Sequence, residues 1–138
     1  PACLLGRTAM GQGRGERLEA LDGLADMPAL LVNPGVAVST AAVFKAWDGV
    51  DRGALTSGEV LAMALEGRND LEAPARALAP EIDAVLTALG ADNPVLARMS
   101  GSGATCFALY ADEASRAAAA MRIRAACPAW WCLETRLL

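Results

Sequence analysis

A glycine-rich connection joins two short apolar runs in the last third of the chain. The first run is Val95-Leu96-Ala97-Arg98-Met99 and the second is Cys106-Phe107-Ala108-Leu109-Tyr110. Both have the length and composition of β-strands. The connection begins Ser-Gly-Ser-Gly, and such small residues permit a tight turn. The pattern therefore predicts two strands joined by a glycine-rich loop. Any fold predicted for the chain must contain this pair of strands.

The segments before this pair predict further strands and short helices. Residues 3–6 form a short apolar run, and the glycines at 11, 13 and 15 indicate strands joined by tight turns. Leu30-Leu31-Val32 indicates a buried strand stopped by the turn Asn33-Pro34-Gly35. Thr40 is then expected to cap a helix.

Apolar residues recur at helical intervals in the middle of the chain, from residue 56 to residue 89. Gly67, Pro74 and Pro80 divide this stretch into two to three short helices, with Ser57 and Asn69 as expected caps. After the second strand of the pair, Asp112 predicts the cap of an alanine-rich helix ending near residue 127. Residues 130–138 then form a last strand.

This order of elements predicts an α+β fold of ferredoxin-like type, an antiparallel sheet with its helices on one face. The chain has 138 residues, enough for one domain with its own core. Because 54% of the residues are hydrophobic but only 4% are aromatic, Ala, Leu and Val must build most of that core.

Charge and composition exclude several classes of function. The 12 basic residues are scattered among 16 acidic ones, so nucleic acid is not an expected partner. The longest uncharged stretches are interrupted by Pro, Gly, Ser or Thr, and the amino terminus does not resemble a secretory signal; we expect no membrane span and a cytoplasmic location.

The chain has no histidine, which excludes Ser-His-Asp and Cys-His machinery within it, and no metal site is predicted. Its four cysteines are expected to be buried free thiols.

Two segments are candidates for ligand binding. In the glycine-rich loop, Ser100, Gly101, Ser102, Gly103 and Ala104 could let backbone N–H groups converge on an anion, or the loop could be a plain tight turn. Walker A and Rossmann spacings are both absent. In the second segment, Thr40 and Phe44 lie one helical turn apart, so Phe44 either packs in the core or stacks on a base.

The joint pattern resembles that of a known family. The chain is similar to the 4-diphosphocytidyl-2-C-methyl-D-erythritol kinase family of the GHMP kinase superfamily, and the resemblance covers essentially its whole length. The residues that carry it are Asn33-Pro34-Gly35 with Ser39-Thr40 and Phe44, then Asn69-Asp70-Leu71-Glu72, then Met99-Ser100-Gly101-Ser102-Gly103-Ala104-Thr105, with Gly11, Gly13, Gly15 and Glu16 near the start.

The resemblance implies the carboxy-terminal half of an enzyme of the non-mevalonate isoprenoid route. Members of the family transfer the γ-phosphoryl group of ATP, used with Mg²⁺, to the 2-hydroxyl of a cytidine-diphosphate-linked methylerythritol. The family's ATP loop, catalytic aspartate and lysine belong to the amino-terminal half, so this chain alone is predicted to be inactive. Residues 1–28 would end the first domain or form a junction, and residues 29–138 would form the second domain.

The resemblance also implies roles for individual residues. The loop from Ser100 to Ala104 would shape the nucleotide loop, while Phe44 would stack on cytosine with Thr40 and Pro34 near the pocket. A missing half would leave an apolar face, which favours self-association of this chain. Two alternatives stay open, namely another GHMP enzyme such as homoserine or mevalonate kinase, and a free-standing ferredoxin-like ligand-binding module.

Overall fold

A computed structural model describes residues 6–13, 15–55 and 58–138 of the chain. The predicted strand at residues 3–6 therefore lies almost wholly outside the described residues, as do Ser57 and its predicted cap. In chain order the described elements are β1 (Ala9–Gln12), β2 (Arg17–Ala20), β3 (Pro28–Asn33), α1 (Thr40–Ala46), α2 (Val60–Glu66), α3 (Glu72–Leu78), α4 (Glu81–Gly90), β4 (Leu96–Met99), β5 (Cys106–Leu109), α5 (Glu113–Ala126) and β6 (Trp131–Arg136).

Four of the strands form one antiparallel sheet in the order β4-β5-β3-β6. The connection from β3 to β4 passes over β5, and the connection from β5 to β6 passes over β3. This interleaved arrangement is that of the ferredoxin-like fold, so the fold predicted from the sequence is confirmed. Strands β1 and β2 form a separate two-stranded antiparallel sheet, with the glycines at 13 and 15 in the turn at positive φ.

The core lies between the four-stranded sheet and its helices. Alternate residues of β3, Leu30 and Val32, are paired with Ala108 and Cys106 of β5, and all four are fully buried. Because side chains alternate across a strand, these residues share one face of the sheet. The residues that cover them from α4 and α5 are Ile82, Val85, Leu89, Ala119, Ala120 and Ile123.

The opposite face of the sheet is less covered at its edge. Trp131 and Leu133 of β6 alternate with the half-buried Cys132, and they remain 51% and 44% exposed. In the described residues no helix is long and apolar enough to cross a membrane.

Four local predictions require correction. Ser39, and not Thr40, caps α1, because its hydroxyl oxygen accepts the N–H of Ala42. Leu71, and not Asn69, is the N-cap of α3. Pro74 lies inside the first turn of α3, where a missing N–H costs nothing, so it divides no helix. Among the described cysteines only Cys106 is fully buried; the other two, at positions 127 and 132, are free but partly exposed.

Candidate functional site

The glycine-rich loop between β4 and β5 is closed by its own backbone. The N–H of Ser100 donates to the carbonyl of Thr105 at 2.9 Å, and the N–H of Gly103 donates to the carbonyl of Ser100 at 3.0 Å. Gly101 and Gly103 have φ values of +55° and +85°, in the region that favours glycine. A Cβ on Gly103 would also lie 2.9 Å from the sulfur of Met99. The shape of the loop therefore depends on its two glycines.

Only the outer part of the loop reaches solvent. Ser100 and Gly101 are exposed, Ser102 and Gly103 are half-buried, and Ala104 is 4% exposed. Ala104 belongs to the hydrophobic core, so it offers little surface to a ligand. Ser100, Gly101 and Ser102 are thus the loop residues that a ligand could reach most directly.

Side chains from distant segments converge on the loop. The hydroxyl groups of Thr40 and Ser102 lie 2.8 Å apart, within hydrogen-bonding distance. The side-chain N–H of Asn33 donates to the hydroxyl of Thr105 at 2.8 Å, and its oxygen accepts the N–H of Gly35 at 2.8 Å. The turn at residues 33–35 and the start of α1 are therefore held against the loop.

Asn69 also contacts the loop, and sequence reasoning missed this role. Its side-chain amide donates to the carbonyls of Met99 and Gly101, at 3.1 and 2.8 Å. The only signal in the sequence was that Asn69 belongs to the motif Asn69-Asp70-Leu71-Glu72, with no indication of its partners. We call residues 33–35, α1, Asn69 and residues 99–105 together the loop end of the domain.

Phe44 lies on α1 in the loop end, outside the core. The adjacent Val43 is fully buried, whereas Phe44 is 54% exposed. Thr40, one turn earlier on the same helix, is exposed, and Pro34 is half-buried. Of the two interpretations of Phe44, the structure does not support a core position within the described residues. The ring is accessible for contact with a ligand.

The chemistry of the loop end is that of binding and positioning. Residues 100–105 carry hydroxyl and backbone groups but no ionisable side chain. Behind the loop, burial raises the pKa of the Cys106 thiol from 9.0 to about 12, so this sulfur stays protonated and is not a nucleophile. The described residues contain no cluster of three or more His, Cys, Asp or Glu side chains that could hold a metal ion.

A cavity of about 840 Å³ lies elsewhere, between the β1–β2 hairpin and residues 51–55. Its lining includes Met10, Glu19, Asp51 and Met63. Gly11 and Gly13, which belong to the pattern near the start of the chain, also line it, but none of the predicted nucleotide-loop or substrate-binding residues does. The cavity therefore does not coincide with the loop end.

Comparison with known proteins identifies the class. Residues 58–129 match the family described as GHMP kinases C terminal. A solved homoserine kinase from Cytophaga hutchinsonii, 16% identical, superimposes with a TM-score of 0.74 over 99% of this chain and 50% of that one. At that identity the likeness concerns the fold alone. The chain therefore belongs to the GHMP kinase family.

More similar proteins within that class share one name. A 4-diphosphocytidyl-2-C-methyl-D-erythritol kinase from Rhizorhabdus wittichii is 56% identical over 99% of this chain, and the match covers 48% of that protein. A crystal structure of 4-(cytidine 5'-diphospho)-2C-methyl-D-erythritol kinase is 32% identical, with a TM-score of 0.72 over 97% of this chain and 52% of that one. The chain thus spans about half the length of these relatives.

Proposed function

We propose that this chain is the carboxy-terminal half of an ATP-dependent kinase that phosphorylates the 2-hydroxyl of 4-diphosphocytidyl-2-C-methyl-D-erythritol. The observation that carries the proposal is the 56% identity to a kinase of that name across 99% of the chain. The loop end supports it, because three of the four segments that resemble the family lie together in space through the contacts of Thr40, Asn33 and Asn69. Residues 1–28 would end the first domain or form the junction, and residues 29–138 would form the second.

Two ligands would meet at the loop end. The exposed ring of Phe44 would stack on cytosine, with Thr40 and Pro34 at the border of the same pocket. The loop from Ser100 to Ala104 would support the nucleotide loop of the other half. Phosphoryl transfer depends mainly on positioning and charge stabilisation, and these are the tasks for which hydroxyl groups, backbone groups and an aromatic ring are suited.

The rest of the machinery would come from the other half of the protein. The described residues offer no metal cluster, and Mg²⁺ would be bound together with ATP in the complete enzyme. The loop offers no base to accept the proton of the substrate hydroxyl. This chain alone is therefore expected to transfer no phosphoryl group, and the active enzyme is expected in the cytoplasm.

The direct test is a comparison of phosphoryl acceptors for the complete two-domain protein. With ATP and Mg²⁺, we expect phosphorylation of the cytidine compound and little or none of homoserine or mevalonate. This 138-residue chain, assayed in parallel, should show no transfer. Preference for homoserine or mevalonate would assign the protein to another GHMP activity, and transfer by this chain alone would show that the site is already complete here.

A further inference from the structure

The side chain of Asn69 uses all of its hydrogen-bonding groups at the base of the loop. Its amide nitrogen carries two N–H groups, which account for the bonds to the carbonyls of Met99 and Gly101. Its oxygen accepts the N–H of Leu71 at 3.1 Å, a local turn typical of Asn. The side-chain oxygen of Asn69 therefore binds its own segment, while the side-chain nitrogen binds the loop.

The same segment holds the end of β4 through a second side chain. β4 is an edge strand of the sheet, and its last residue, Met99, has backbone groups directed away from β5. A carboxylate oxygen of Glu72 accepts the N–H of Met99 at 3.3 Å, while Asn69 binds the carbonyl of Met99. The turn at residues 69–72 thus fixes the point at which the loop leaves the strand.

Asn69 also binds one peptide group within the loop, the one that joins Gly101 to Ser102. The bond between Gly101 and Ser102 is trans, and in a trans peptide the C=O and N–H groups point in opposite directions. Because the carbonyl of Gly101 points toward Asn69, the N–H of Ser102 points away from it. In the described part of the chain, this N–H has no hydrogen-bond partner.

We propose that Asn69 is a positioning residue that directs the Ser102 N–H toward a phosphate oxygen of the bound nucleotide. The proposal rests on the proposed function and adds a residue to it. Gly101, at φ +55° and with nothing within 4 Å of the place a Cβ would occupy, would otherwise let this peptide rotate. The bond from Asn69 to the Gly101 carbonyl removes that freedom, the bond to the Met99 carbonyl fixes Asn69 against the loop, and one donor is thus held ready before the nucleotide arrives.

Asn69→Asp is the most selective variant. It keeps the size of the side chain and the oxygen that accepts the Leu71 N–H, but it replaces the donating group by an oxygen that faces two carbonyls. In the complete protein we expect the KM for ATP to rise about tenfold, equivalent to about 1.4 kcal/mol, with the KM for the cytidine compound unchanged. A purely structural role would change both constants or neither.

Asp70→Asn is the matched control. It makes the reverse exchange at the next residue, whose carboxylate pairs with Arg68 at 2.9 Å and has no described contact with the loop. This variant should leave the KM for ATP within about twofold of the original. An Asn69→Asp enzyme whose KM for ATP is also within twofold would overturn the proposal, even if the cytidine compound is the correct acceptor.

A measurement on the unaltered protein covers the case in which Asn69→Asp fails to fold. In NMR spectra of the ¹⁵N-labelled complete protein, addition of ADP or ATP should shift the Ser102 amide proton downfield by about 0.5 ppm or more, as expected for a charge-assisted hydrogen bond. An unshifted Ser102 amide at saturating nucleotide would overturn the proposal. If the amide shifts while the cytidine compound is not phosphorylated, the contact between the Ser102 N–H and the nucleotide stands and the acceptor assignment fails.

Discussion

The loop end and the α5–β6 side of the domain are held together by different interactions. At the loop end, neutral side chains bond to groups far away in sequence, as in the pairs Thr40–Ser102 and Asn33–Thr105. On the α5–β6 side, exposed ion pairs cover an apolar layer; for example, Arg124 lies 2.6 Å from Glu134. The layer beneath is built from the small or aliphatic residues Ala119, Ala120 and Ile123.

This difference indicates what each region contributes. Exposed ion pairs stabilise a fold only weakly and tolerate changes in geometry, so the α5–β6 side depends mainly on its apolar layer. Hydrogen bonds between neutral groups are directional, and those of the loop end fix the positions of a loop, a turn and a helix start. We infer that the loop end is organised for ligand geometry and the α5–β6 side for stability.

The largest expected difference is in the reactivity of two thiols, Cys106 directly behind the loop end and Cys127 on the α5–β6 side. A rise in the pKa of Cys106 from 9.0 to about 12 lowers its thiolate fraction about a thousandfold at pH 8. Cys127, at the end of α5, is partly exposed. In native protein at pH 8, iodoacetamide should therefore modify the partly exposed Cys127 much faster than the buried Cys106, as measured by peptide mass spectrometry. Comparable rates would mean that the base of the loop opens readily to solvent.

Substitution of the two loop glycines by alanine is expected to have the next largest effect, a loss of stability. Gly103→Ala places a Cβ at a φ of +85° and 2.9 Å from the Met99 sulfur, so we expect a loss of about 2–5 kcal/mol from strain and overpacking together. Gly101→Ala has the same sign of φ but meets nothing within 4 Å, and strain alone should cost about 1–2 kcal/mol. Urea denaturation measures both. Equal losses would indicate that the loop does not pack on the core as described.

Replacement of Glu134, on the α5–β6 side, is expected to have the smallest effect on stability. Its hydrogen bond with Arg124, and then the charges of Arg124 and Arg116, lower its pKa below the ordinary value of 4.5. A carboxyl group with a lowered pKa stabilises the fold above pH 4.5, and this contribution is lost as the pH falls through the lowered pKa. Glu134→Gln should therefore cost up to about 1 kcal/mol at pH 7.

The loss of stability in Glu134→Gln should depend on pH, and this dependence is the control for the role of the Glu134 charge. The difference between the original protein and Glu134→Gln should shrink as the pH falls below 4.5. Thermal unfolding at pH 7 and pH 3 measures both values. A difference that is as large at pH 3 as at pH 7 would mean that packing, and not charge, accounts for the effect.

The order of strands and helices could be predicted because local signals encode it. Apolar runs such as Leu30-Leu31-Val32 mark the strands, and Gly67, Pro80 and Asp112 mark helix boundaries. Three boundary predictions were wrong, and two of them, at Thr40 and Pro74, were wrong for local reasons. Ser39 and Thr40 are both suitable caps, and the choice depends on backbone angles that the sequence does not show. Pro74 was taken as a helix breaker, although a first turn accepts proline.

The contacts of the loop end could not be predicted in the same way. Asn69 has the sequence signature of a helix cap, yet its side chain binds carbonyls that lie 30 and 32 residues away. Thr40 likewise meets a hydroxyl 62 residues away. Such partners depend on how β3, α1 and the loop come together in the folded domain. The family resemblance brought these segments to attention, but it did not show which side chains join them.

The most direct test of the account compares two aromatic residues, one from each region. Phe44 at the loop end and Trp131 on β6 are 54% and 51% exposed, so truncation of either should affect stability to a similar, modest degree. In the complete protein, Phe44→Ala is expected to raise the KM for the cytidine compound about fivefold to more than a hundredfold, because stacking on a base is worth roughly 1–3 kcal/mol. Trp131→Ala should leave that KM unchanged, and neither variant should alter the KM for ATP. A Phe44→Ala enzyme that melts much earlier yet binds the cytidine compound normally would contradict the account.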